Sequence, residues 1–178
     1  MNYIDDTYSS GDSGDSGDSG DEQIKSNLEV VIKNKINNPA FIPLFTISDN
    51  LDISEKDKTQ PFYVDKLPNI TIRGYIKRIA EYSNADDTTY IVTAIYLDRL
   101  TKAGVISLNI RNIHRYILAA LLVAIKYTQD YFFNNKYYAS VGGISVDEIN
   151  RLETNFLIKL KFNLHIMPDE YNKYITKC

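Results

Sequence analysis

The sequence predicts an all-α fold, on three observations. Beyond residue 60 the apolar residues recur every three or four positions, and strict alternation is weak throughout. The stretch from Ile117 to Ile125 is apolar on all sides, as suits a helix buried at the centre of a bundle. Helix-start signals also fall where the periodic segments begin: Asp86-Asp87, Ser145 with Glu148 three residues on, and Pro168.

Each element follows in chain order. Residues 9–22, "SSGDSGDSGDSGDE", contain no apolar residue. Such a segment cannot bury enough surface to offset the entropy of ordering, so residues 1–22 read as a disordered acidic Gly-Asp-Ser tail. Residues 23–37, "QIKSNLEVVIKNKIN", set Ile24, Leu28, Val31 and Ile32 on one stripe and predict an amphipathic helix ended by Asn37-Asn38-Pro39. Residues 38–67 read as a linker, polar over 46–61, with "PFYVDKLPNI" extended because Pro61 and Pro68 restrict the residue before each.

The spacing then predicts helices over about 71–82, 87–101, 109–128 and 146–161, and a short final one from Pro168. Between the last two long helices lies "NNKYYASVGGIS". Its Gly142-Gly143 pair lacks the Lys-Ser or Lys-Thr of a phosphate-binding loop. It reads as a helix terminator, because glycine takes the left-handed conformation without a Cβ penalty. Ser145 and Glu148 restart the chain as a capping box, so the segment is a joint.

Composition narrows the function. The net charge is −3, but residues 1–22 hold seven acids and no base, leaving 16 acids against 20 bases beyond them. That balance of +4 is spread singly along helices, so no nucleic-acid partner is expected. The 14 tyrosines lie at core spacing without the interleaved cations of a base-stacking platform. No run of about 18 apolar residues is present and the N-terminus is acidic and polar, so neither a membrane partner nor a secretory leader is expected. Cys178 is the sole cysteine, which suits the nucleus or cytoplasm.

Catalytic signals are thin. No Ser-His-Asp order or nucleophile elbow appears. His114 reads as a packing or backbone-bonding residue and His165 as exposed or structural. Neither has a metal-ligand neighbour at suitable spacing, so no cofactor, metal, catalytic residue or small-molecule substrate is expected. Asp98-Arg99 in "YLDRL" reads as an internal helix-to-helix bond. On periodicity alone Lys126 is a lysine reaching outward from an apolar helix, and Glu153 is a surface glutamate.

Several segments stand in one order with short spacing: "YIKRIAEYS", "AIYLDRL", "NIHRYILAALLVAIKY", "NNKYYASVGGIS" and "EINRLETNFLIKLKFNL". They resemble the cyclin box of the P-type (or U-type) cyclins, whose fungal members include phosphate-signalling cyclins. The resemblance runs from about Pro68 to Tyr174 and is most specific in "YYAxVGG" followed by "EINxLExxFL". The helix over 23–37 is similar to the one that precedes the box in that group.

The resemblance implies a single five-helix cyclin box over 68–178 and the role of a non-catalytic regulatory subunit that binds and activates a cyclin-dependent protein kinase as a heterodimer. It implies that Lys126 and Glu153 grip the kinase's mobile helix by its backbone, the ammonium on carbonyls and the carboxylate on amide N–H groups. Tyr127, Leu157, Phe162 and Leu164 match apolar contacts around that pair, and Asp130 is expected to meet basic kinase residues near the activation segment. The joint would bring the third and fifth helices side by side. The "MRAIL" motif and tryptophan of cyclins that dock Arg-x-Leu substrates are replaced by "TIRGYIKRI" and no tryptophan, so that docking mode is not expected. The alternative reading is a cyclin-fold transcription or nucleic-acid adapter.

Overall fold

The computed structural model describes residues 39–49 and 61–176; the 1–22 tail and the 23–37 helix lie outside the described residues. A 3-10 turn at Pro39–Phe41 leads into α1 (Ile42–Asp49), followed by α2 (Ile72–Tyr82), α3 (Asp87–Lys102), α4 (Ile113–Thr128), α5 (Asn135–Gly142), α6 (Val146–Lys159) and α7 (Pro168–Ile175). Among the described residues there is no strand.

Side chains nucleate most of these helices. Thr71, Asp86, Asn134 and Ser145 each accept a hydrogen bond from the backbone N–H three residues on, so one otherwise orphaned donor at each start is satisfied. The capping box is only half formed. Glu148 turns its carboxylate away from Ser145 and accepts from Arg115 Nε at 2.5 Å, tying α6 to α4.

α4 begins four residues later than the hydrophobic pattern predicts. Asn109 N–H donates to Asn112 Oδ1, Arg111 N–H to Asn109 Oδ1, and Asn112 Nδ2 to Ser107 O. Short amide side chains that bond local backbone compete with the helix and hold residues 109–112 as a turn. Once started, α4 is buried from Ile113 to Ile125 except at Arg115, the central helix that its composition predicts. It packs between α3 and α6, with α2 also against it.

Two elements depart from the expectation. The 38–67 linker contains α1, whose Leu44 is 2% exposed and which packs on α3 with the preceding turn's Ala40. Pro43 in its first turn needs no intrahelical N–H, so this proline is compatible with helix. The joint is itself a helix, α5. Gly143 terminates it at φ 71, with Gly143 N–H on Ser140 O at 3.2 Å and Ile144 N–H on Ala139 O at 3.0 Å. Gly142 serves packing instead: a Cβ there would lie 2.3 Å from a methyl of buried Leu118 on α4. Residues 61–70 stay irregular, as "PFYVDKLPNI" predicts. Phe62 is fully buried and stacks on Tyr116 with ring centroids 4.0 Å apart.

Candidate functional site

The packing of α4 on α6 sets the last turn of one helix beside the middle of the other. Lys126 Nζ donates to Glu153 Oε1 at 2.6 Å, and the two side chains keep 30% and 16% of their surface exposed. The second carboxylate oxygen accepts from Asn135 Nδ2 at 2.8 Å, and the same amide nitrogen reaches Asn150 Oδ1 at 2.7 Å. Three helices therefore meet at one carboxylate. Both side chains are mostly covered, yet each keeps part of its surface at the solvent.

Apolar side chains flank the pair. Leu157 lies one turn beyond Glu153 on α6, half-buried against the core, and Leu164 is packed likewise. Tyr127, next to Lys126, is exposed, and Phe162 is 65% exposed. Phe162 follows the end of α6 with Lys161, both left-handed at φ 55 and 53, and its N–H donates to Leu157 O at 3.0 Å. Tyr96 on α3 links this edge to α4's end. Its hydroxyl donates to Leu164 O at 2.9 Å, and its ionisation is driven well above the ordinary range by burial and, secondarily, by nearby Tyr127. Lys126 and Glu153 are thus bonded to each other, and Leu157, Phe162 and Leu164 are joined through backbone bonds beyond the end of α6. Asp130 stands exposed in the loop after α4, and no bond among the described residues ties it to the others.

Sequence reasoning missed Asn135 altogether. In "NNKYY" the Asn pair signals a helix start, and Asn134 takes that role; nothing local marks its neighbour as a ligand of Glu153. It also missed the aromatic run before α5, where Tyr131 is 93% exposed and Phe132 and Phe133 are half-exposed.

The remaining polar candidates are internal. Arg99 pairs with Glu170 on α7 and Asp98 accepts from Tyr174's hydroxyl on α7, the helix-to-helix bonding that "YLDRL" predicts, while Asp98 also pairs with exposed Lys102 one turn on. His114 Nε2 bonds Ile70 O at 3.2 Å, and burial, ahead of nearby Arg115, keeps its imidazole neutral by lowering its pKa. A cleft of about 590 Å³ beside it is lined by Lys66, Tyr75, Arg78, Arg115 and Gly142. Arg115 is already held by Glu148, and Arg78 caps Ser140 O at 3.2 Å. Among the described residues no three His, Cys, Asp or Glu side chains gather as a metal site, and no helix is long and apolar enough to cross a membrane.

Comparison with known proteins agrees with this architecture. The cyclin family model matches residues 14–164. Cyclin-U4-3 of Arabidopsis thaliana is 42% identical over 126 residues, covering 70% of this chain and 58% of the relative. Cyclin-P4-1 of Oryza sativa subsp. japonica is 39% identical over 108 residues, 60% of this chain and 51% of the relative. The PHO85 cyclin-like protein psl1 of Schizosaccharomyces pombe is 34% identical over 134 residues, 72% of this chain and 55% of the relative. The chain spans little more than half the length of these relatives. With a family match running through α1 to α6 and relatives named for both the U and P groups, the chain belongs to the cyclin family, among its P-type (U-type) members.

Proposed function

We propose that this cyclin is the regulatory subunit of a cyclin-dependent kinase, gripping it through the face centred on Lys126 and Glu153. The observation that carries the reading is the 2.6 Å pair itself, with part of each side chain still at the solvent and exposed Tyr127 next to Lys126 in the chain. An ammonium has three donors and a carboxylate about four acceptor positions. After bonding each other and Asn135, both groups retain capacity for a partner's backbone. Lys126 would take carbonyl oxygens and Glu153 amide N–H groups, while the aromatic rim excludes water and strengthens both bonds.

Activation is then a population shift. A kinase whose mobile helix samples inactive positions is drawn toward the arrangement that completes its active-site ion pair, because only that arrangement presents its backbone to this face. The similarity to a protein named as PHO85 cyclin-like makes a kinase of the PHO85 type the first partner to test. The Lys126→Ala/Glu153→Lys double variant should lose at least about 100-fold in affinity for that purified kinase, as expected for a desolvated charge pair at an interface centre, and should no longer activate it. Its far-UV circular dichroism should match that of the unaltered chain. Kinase binding and activation at full strength by the double variant would sink the reading.

A further inference from the structure

The edge that carries Phe162 and Leu164 lies between α6 and α7, with no helix of its own to hold it. Lys161 and Phe162 are consecutive left-handed residues, a conformation that a Cβ disfavours and that persists only where surrounding structure over-determines it. Three successive carbonyls just beyond them are held from α3. Arg99 Nη1 donates to Asn163 O at 3.1 Å, Tyr96 hydroxyl to Leu164 O at 2.9 Å, and Arg99 Nη2 to His165 O at 2.8 Å. Arg99 is aimed in turn by Glu170 on α7, with Nε on Oε1 at 2.8 Å and Nη2 on Oε2 at 2.5 Å. The guanidinium plane also lies 5.9 Å above the ring of the fully buried Tyr96.

From this juxtaposition we infer that Tyr96, Arg99 and Glu170 are positioning residues, a clamp that fixes Phe162 and Leu164 for the partner; the inference rests on the kinase-binding reading of that face. Docking α7 on α3 would need only a charge pair. A rigid fork that spends its remaining donors on two backbone carbonyls, with a buried phenol on the carbonyl between them, instead specifies the path of the intervening chain. Lysine supplies the charge but not the fork.

The test uses the full chain and the purified PHO85-type kinase. Tyr96→Phe removes one hydroxyl and keeps the ring, so it should fold. It should raise amide hydrogen exchange at Phe162 and Leu164 while leaving Leu121 in α4 unchanged, and weaken kinase affinity about fivefold, the scale of one lost hydrogen bond. Arg99→Lys should lose about 10-fold or more, since several bonds go together. The control is Arg115→Lys, which weakens an interhelical pair outside the proposed face, Arg115 with Glu148, and should lower the melting temperature without changing affinity by more than about twofold. Wild-type affinity in both Tyr96→Phe and Arg99→Lys would overturn the clamp and leave the face intact. Loss of affinity in the Arg115→Lys control equal to that in Arg99→Lys would also overturn it, by showing general destabilisation. Failure of the unaltered chain to bind the kinase would overturn the reading of the face, and the clamp's purpose with it.

Discussion

Gly142 and Gly143 are adjacent, yet different physics holds each in place. Gly143 sits in the left-handed region with nothing within 4 Å of where a Cβ would stand, so its constraint is the backbone alone. Gly143→Ala should cost about 1 kcal/mol and Gly143→Asn less, since asparagine tolerates that conformation. At Gly142 the constraint is space: an alanine methyl would fall 2.3 Å from Leu118 Cδ2, and Leu118 is itself buried. Gly142→Ala should therefore cost about 1–3 kcal/mol through overpacking. Urea unfolding of two double-mutant cycles that share Leu118→Ala checks the distinction. Leu118→Ala should couple favourably with Gly142→Ala, the double variant losing less than the sum, and should be additive with Gly143→Ala. The sequence shows both glycines at a helix end; it cannot show that one of them abuts a leucine 24 positions earlier.

At the scale of elements, caps and periodicity located α2, α3, α6 and α7 to within a residue or two, because a helix start is decided by bonds three positions long. α1 escaped this reading. Its short length and its one proline, Pro43, suggest linker, and what stabilises it is burial of Leu44 against α3, a contact with residues more than forty positions away. Leu44→Ala should therefore cost about 2–5 kcal/mol, the large-to-small range for a buried leucine. A destabilisation below about 0.5 kcal/mol by chemical denaturation would show that α1 is not part of the cooperative core. The late start of α4 has the opposite origin: local asparagine bonds override an apolar pattern that would otherwise extend the helix to residue 109.

At the scale of the whole molecule, global stability should carry a signature of His114. Burial lowers its pKa below the ordinary 6.5, so the unfolded chain takes up a proton first as pH falls. Proton uptake by the unfolded state lowers stability as pH drops through the region below 6.5, and this loss ends at the folded pKa. Well above 6.5 the imidazole is neutral in both states and contributes no slope. His114→Gln keeps an N–H for Ile70 O but cannot titrate. The urea midpoint should therefore fall between pH 7 and 5 more steeply for the unaltered chain than for His114→Gln. Parallel profiles would count against the assignment.

The sequence by itself determined that the chain is helical, which helix is central, where most helices begin, and, through "YYAxVGG" and "EINxLExxFL", which family it resembles. Those properties depend on a residue's neighbours within a turn or two, or on motifs read directly. Only the tertiary structure decided that Lys126 meets Glu153 across 27 positions, that Asn135 completes the carboxylate's bonds, and that Arg99 reaches Glu170 across 71. Periodicity assigned Lys126 and Glu153 to solvated faces, because a charge beside an apolar stripe looks the same in sequence whether it meets water or another helix. The packing of α6 along α4 makes that choice, through apolar contacts far apart in the sequence.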